Sequence, residues 1–307
     1  LTETVIGILL ATLGAGTPLV YAALGELVSE KSGVLNLGVE GMMIVGAVCG
    51  FAVAAESGNL WLGVMASVVA GAGMALVFGV LTLTFQSNQV AAGLALTIFG
   101  IGLSAYIGLD YTSVALTGIA NIRIPVLSDI PVAGPLLFSL DPLLYCSFLM
   151  FAAIAYFLYR TKAGLLLRAI GESPESAVSL GYPVIAIRYM AVLFGGAMAG
   201  LAGAYLALVY TPLWVEAMTA GRGWIALALV VFATWRPGRV MVGAYLFGGV
   251  TIMQFHVQGF GVDIPSQLLS MLPYLATIVV LVLISRDINT IRLNAPASLG
   301  KAYHPSV

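Results

Sequence analysis

The sequence predicts an all-α, polytopic integral membrane bundle of about nine spans, with eight to ten in range. Three observations carry that reading. Hydrophobic residues fill 61% of the 307 positions and charged residues only 8%, against about 25% charged in soluble domains. The 36 glycines suit helices that pack closely in lipid through small side chains. Apolar runs approaching the roughly 20 residues that cross a bilayer recur at 4–28, 34–55, 60–85, 89–109, 141–159, 189–211, 222–235, 240–257 and 267–285.

The first run lacks the basic start of a cleavable signal peptide and continues past the length of a signal core. The second contains "GVLNLGVEGMMIVGA" (33–47), which sets Asn36 and Glu40 one helical turn apart in an apolar setting. That run, and the short one at 222–235, can each be broken, tilted or re-entrant. Asp141 followed by Pro142 reads as an N-cap and a first helical position, which starts the span after a long, proline-rich outer loop at 110–140. Alternating the spans places Lys31, Arg160, Lys162, Arg168, Arg188, Arg236, Arg239, Arg286, Arg292 and Lys301 on one side. Only Arg123 and Arg222 fall on the other, so the first side is cytoplasmic. The N-terminus is then outside, and the C-terminal tail 286–307 inside. No repeat or linker divides the chain, which reads as one membrane domain over 1–307.

Several chemistries find no support. A net charge of −1 offers no basic footprint for nucleic acid. Cys49 and Cys146 sit in apolar runs and read as free, buried thiols. The two histidines, His256 and His304, fall on opposite sides, so no metal site is expected. No G-x-x-x-x-G-K-[ST] phosphate loop is present, so this chain is not expected to bind ATP in that manner, and no cofactor is expected in it.

The cytoplasmic loop 160–188 contains a short helix signal. Ser173 can cap a helix opening with Pro174, Glu175 suits the positive end of the dipole, Gly181 terminates it and Pro183 blocks continuation. Such a helix is about 10 Å long and too short to be stable alone. It lies on the membrane surface as an amphipathic connector, or it docks on a partner.

The stretch "TKAGLLLRAIGESPESAVSLGYPVIAIRYMAVLFGGAMAGLAGAYLAL" (161–208) resembles the cytoplasmic loop and next span of the permease subunits of ATP-binding-cassette importers. The family in question handles simple sugars, branched-chain amino acids and nucleosides. "LGELVSEKSGVLNLGVEGMMIVGA" (24–47), "SNQVAAGLALTIFGIGLS" (87–104), "GRGWIALALVVFATWRPGRVMVGAYLFGG" (221–249) and the ending "APASLGKAY" (295–303) agree with it in order. The first of these and the ending are most similar to the shorter permease of nucleoside importers. The resemblance implies a bacterial cytoplasmic membrane protein that is not itself an enzyme. It implies a coupling helix across Gly171, Glu172, Ser173, Pro174, Glu175, Ala177 and Gly181, seated on a cytoplasmic ATPase subunit that binds ATP and Mg. A second, longer permease would form a heterodimer with this chain, and a periplasmic or lipid-anchored binding protein would deliver the solute.

A neutral nucleoside asks for stacking surfaces and amide or hydroxyl partners. Asn88 and Gln89 fit the polar role, and a helix cap reads equally from them. Trp214, Glu216, Arg222 and Trp224 form an expected outer-side cluster that lines an entrance or an interfacial belt. His256, beside Gln254 and Phe255, reads as a structural hydrogen-bonder. Gly46–Gly50 and Gly196–Gly200 have helix-packing spacing, within the subunit or against a second permease. Arg236 and Arg239 anchor an inner turn. On a continuous helix Asn36 would share a face with Glu40 and could bond it, as a polar hinge, an inner gate or interhelical glue. A simple sugar or riboflavin-like solute is the alternative cargo. A self-contained secondary transporter or channel is the alternative class, for which Glu40 is the one embedded acid singled out. No nucleophile, base and metal set for a membrane enzyme can be assembled.

Overall fold

The computed structural model describes residues 2–125, 127–128, 130–259, 268, 271–272, 275–276, 278–279, 282 and 294–303. The expected span at 267–285 falls largely outside them, and Arg286, Arg292 and His304 do so entirely. Among the described residues the regular structure is helical, apart from one isolated bridge between Ala115 and Leu213. In chain order the helices are α1 (Thr2–Lys31), α2 (Val39–Ser57), α3 (Leu60–Gly79) and α4 (Gln89–Gly108). They continue with α5 (Ala133–Phe138), α6 (Pro142–Arg160), α7 (Lys162–Glu172), α8 (Pro174–Ser179), α9 (Val184–Tyr205), α10 (Arg222–Phe232) and α11 (Pro237–Gly259). Among the described residues six of them, α1 to α4, α6 and α9, are long and apolar enough to cross a membrane, and α10 is apolar but short.

Local chemistry sets most helix starts. Asn59 Oδ1 accepts the amides of Trp61 and Leu62 at the head of α3, and Asn88 Oδ1 accepts that of Ala91 at the head of α4. Thr161 caps α7 and Ser173 caps α8 in the same way. Gly58, at φ +67°, closes α2. By contrast, α2 and α10 begin at Gly38 and Gly221 with no side-chain cap of their own.

Asp141 both caps and ties. Its Oδ1 accepts the Leu144 amide at 2.8 Å and its Oδ2 accepts the Tyr205 hydroxyl at 3.1 Å, joining α6 to α9. Asp141→Ala is expected to destabilise the protein by about 2 kcal/mol, and Asp141→Asn by less than half of that. Thermal unfolding of the purified protein checks both values.

Small residues bring the central helices together. A Cβ added to Gly46 would lie 2.6 Å from the Gly200 Cα, and one on Gly196 would lie 2.5 Å from the Gly71 carbonyl oxygen. One on Gly50 would meet the Ser67 hydroxyl. The glycine pairs therefore pack α2, α3 and α9 within the subunit, where the backbones approach too closely for any side chain. Helix α1 packs chiefly on α9 and α11. The outward faces of α3, α4 and α6 carry Met65, Val69, Ile98, Phe99 and Leu149, all exposed and apolar.

Candidate functional site

Between α1 and α2 the chain turns back on itself. Gly33, at φ +91°, donates its amide to the Glu30 carbonyl at 2.8 Å, and residues 34–38 then lie outside any helix. Buried backbone groups outside regular structure need side-chain partners. The Asn36 amide donates to Glu26 Oε1 at 2.9 Å, and the Leu35 amide to Gln89 Oε1 at 2.8 Å. The Gly38 amide donates to Asn36 Oδ1 at 2.9 Å, and the Thr97 hydroxyl to the Leu37 carbonyl at 3.1 Å. This is a re-entrant segment stitched to α1 and α4, and α2 starts at its end.

A second non-helical stretch, 211–221, leads into α10. It contains Ala217 (φ 57°), Ala220 (φ 47°) and Gly221 (φ 79°). A left-handed backbone costs an alanine about 1–2 kcal/mol, so surrounding contacts must hold it. Glu40 supplies them. Its Oε1 accepts the Thr219 hydroxyl at 2.5 Å and the Gly221 amide at 2.9 Å, and its Oε2 accepts the Gly223 amide at 2.6 Å. A carboxylate from α2 thus caps the amino end of α10, where the helix dipole favours a negative charge. Position 223 admits only glycine, since a Cβ there would sit 2.5 Å from the Glu40 Cα.

The far end of α10 is also tied to an acid, here through a side chain beyond the helix. Thr234 (φ 50°) and Trp235 (φ 52°) form a second left-handed turn, and the Trp235 indole N–H donates to Glu30 Oε2. Arg239 Nη1 braces the turn through the Thr234 hydroxyl at 2.8 Å. Glu26 Oε2 and Glu30 Oε1 have no hydrogen-bond partner among the described residues. The short helix α10 is therefore suspended between two buried acids. Sequence reasoning found Glu40 and missed Glu26 and Glu30, which precede Lys31 where acids usually reach headgroups. Their i, i+4 spacing on an apolar helix was the available signal.

The expected bond from Asn36 to Glu40 is not made. Asn36 lies outside the helix and turns its amide to the Met42 sulfur and its carbonyl to Gly38. Asn88 is an exposed helix cap, whereas Gln89 is buried and spans from Leu35 to the Lys301 carbonyl. The expected tryptophan cluster separates. Trp214 is buried against Gly108, where a Cβ would meet its indole nitrogen at 2.0 Å. Trp224 is 49% exposed and lines a hollow of about 450 Å³ with Glu30, Leu37, Leu94 and Ala228. Arg222 bonds back to the Met218 and Thr219 carbonyls. Among the described residues no group of His, Cys, Asp and Glu could hold a metal ion.

On the loop side, Ser173 Oγ accepts the Ser176 amide at 3.3 Å and Gly181 takes φ +84°. Pro174 and Ala177 are buried, Ala177 packing with Ile170 and Val184. Glu172, Glu175, Val178, Leu180 and Tyr182 face outward. Gly171 is buried at the end of α7, where a Cβ would lie 2.3 Å from the Lys31 carbonyl oxygen.

Known proteins are similar in sequence to this chain along almost its whole length. The family profile described as branched-chain amino acid transport system / permease component matches residues 8–284. A Haloferax volcanii protein, provisionally described as a glucose ABC transporter permease, is 42% identical over 97% of this chain and 97% of its own. The guanosine ABC transporter permease of Bacillus subtilis is 33% identical, covering 88% of this chain and 89% of its own. The nucleoside ABC transporter permease of Lactococcus lactis subsp. cremoris is 31% identical, covering 87% and 88%. An all-helical bundle with apolar spans, together with these matches, identifies a multi-pass membrane protein: the chain belongs to the family of permease subunits of ATP-binding-cassette transporters described as the branched-chain amino acid transport system permease component.

Proposed function

We propose that the chain, folded as a single membrane domain over 1–307, forms half of the translocation path of a nucleoside importer in a bacterial cytoplasmic membrane. The observation that carries this reading is the suspension of α10 between Glu40 and Glu30, with Trp224 on its open face. A short helix ending on non-helical backbone inside an apolar bundle is the arrangement from which transporters build solute sites. Trp224 is the solute-contacting residue, offering an aromatic face to a base or a sugar ring. Asn36, Glu40 and Gln89 form the inner gate by holding the re-entrant backbone, Trp214 sets the outer end of the path, and Asn88 fixes the start of α4.

The permease is a non-catalytic subunit, with ATP hydrolysis in a separate one. In this reading α8 is the coupling helix. Its buried side holds it on α7 and α9, while Val178, Leu180 and Tyr182 give the ATPase an apolar surface flanked by Glu172 and Glu175. A longer paralogue supplies the other half of the path, and a periplasmic or lipid-anchored binding protein supplies the solute.

Replacing 173–180 by glycine and serine tests the coupling role. The permease should still insert, and solute-stimulated ATP turnover should fall to background; full turnover would remove α8 from the coupling path. Cargo is tested with guanosine and glucose on the importer reconstituted with its binding protein. Stimulation by guanosine supports the nucleoside reading. Stimulation by glucose alone supports the second reading, a simple-sugar permease, which the 42% identity to the Haloferax volcanii protein favours.

A further inference from the structure

The segment 294–303 is bound into the fold at both its ends and its middle. Lys31 Nζ donates to the Asn294 carbonyl at 2.7 Å. Ser298 donates twice to the Gly171 carbonyl, from its hydroxyl at 2.7 Å and its amide at 3.0 Å. Arg188 Nη2 donates to Ser298 Oγ at 3.0 Å, and Arg188 Nε to the Ser32 carbonyl at 3.0 Å. The Gly300 amide donates to the Gly33 carbonyl at 3.3 Å, and Gln89 Nε2 to the Lys301 carbonyl at 3.4 Å.

The fit is close. A Cβ on Gly33 would stand 2.3 Å from Ser298 Oγ and 2.7 Å from Arg188 Nη2. Ser298 and Arg188 are both buried. A guanidinium taken out of water holds its neutral partners firmly, because each bond to it offsets desolvation. Ser298 is thus the shared point of the end of α7, the start of α9 and the Ser32–Gly33 turn. Two residues beyond Gly171 stands Ser173, the cap of α8; immediately beyond Gly33 begins the stretch that ends at Glu40.

We propose that residues 294–303 are a strap that transmits movement of α8 to the re-entrant segment 33–38, with Ser298 and Arg188 as its positioning residues. The inference rests on the reading of α8 as the ATPase contact. Displacing α7 and α8 would drag Ser298 by its two bonds to Gly171. Through Arg188 and Gly300 the pull would reach Ser32 and Gly33, and along 34–38 the Glu40 cap of α10. A tail that served only as filler would need no polar link to both the loop and the gate.

The test uses the assembled importer in lipid nanodiscs, with Cys49 and Cys146 replaced by alanine and Leu37→Cys as a reporter in the hollow. A small maleimide reads how fast position 37 is labelled without nucleotide and with ATP and vanadate. The parent should show a difference of about tenfold, and Ser298→Ala should reduce it to about twofold or less. The ATPase subunit should still co-purify, with turnover within about threefold of the parent. Ser298→Gly, which also removes the hydroxyl and adds no second thiol, should behave as Ser298→Ala does and stands in for it if the alanine variant expresses badly. An undiminished nucleotide-dependent difference in both variants overturns the proposal. Loss of the ATPase subunit also overturns it, since the segment would then merely build the docking surface. A parent without nucleotide-dependent labelling overturns it as well. Failure of the coupling role of α8 is read separately, as ATP turnover that survives replacement of 173–180.

Discussion

Glu40→Leu is expected to abolish uptake by an importer that still assembles in the membrane. The substitution leaves the Gly221 and Gly223 amides and the Thr219 hydroxyl without their acceptor in a buried setting. Leaving buried donors unsatisfied costs about 1–3 kcal/mol each, enough to release the left-handed turn at Ala217–Gly221 that the carboxylate holds. Glu40→Gln keeps the shape and one acceptor oxygen. Its amide nitrogen must nevertheless face a donor, either the Gly223 N–H or the Thr219 and Gly221 pair, so one side of the cap is lost. Uptake should fall by about tenfold, equivalent to roughly 1.4 kcal/mol. Uptake by the reconstituted importer, measured beside the amount of assembled complex, checks both variants. Normal uptake by the leucine variant would reduce Glu40 to packing.

The second large effect lies in the glycine seam. A Cβ at Gly200 would stand 2.1 Å from the Ser67 carbonyl oxygen, and one at Gly203 would stand 2.1 Å from that of Met43. In both cases the obstacle is backbone, so no side-chain rotation relieves it, and α9 must move away from α3 or α2. Gly200→Ala and Gly203→Ala are each expected to destabilise by about 3 kcal/mol or more, with a sharp drop in monodisperse protein. Gly73→Ala on the open face of α3 is the control. Nothing lies within 4 Å of its added Cβ, and a helical Gly→Ala change there should be neutral or stabilising by up to about 1 kcal/mol. Size-exclusion profiles and thermal unfolding of the three variants check the contrast. Equal behaviour of all three would mean that the seam is looser than these distances imply.

Much of the architecture was legible because its signals are local. Asp141–Pro142 and Ser173–Pro174 are cap and first-turn pairs, and both open helices where expected. Run length marked the apolar helices, and the short run at 222–235 became the short α10. The pairing of Asn36 with Glu40 failed for a definite reason: it assumed a helix through both, whereas residues 34–38 are held outside the helix by Glu26, Gln89 and Thr97. These partners come from other helices, and spacing along one segment cannot reveal them. Trp214 and Trp224 illustrate the same limit. They are near in sequence, but the turn at 217–221 sends one against Gly108 and the other into the hollow beside Glu30.

Composition, apolar run length, capping pairs and extended family motifs were sufficient to establish a helical membrane permease, since each depends on neighbours along the chain. Which groups meet across the bundle depended on folding: Glu40 reaching the head of α10 across 183 positions, Glu30 receiving Trp235, and Ser298 joining Gly171 to Arg188. Inside an apolar bundle every buried donor and acceptor must find a partner wherever the packing brings one. That requirement selects the contacts, and it acts in three dimensions.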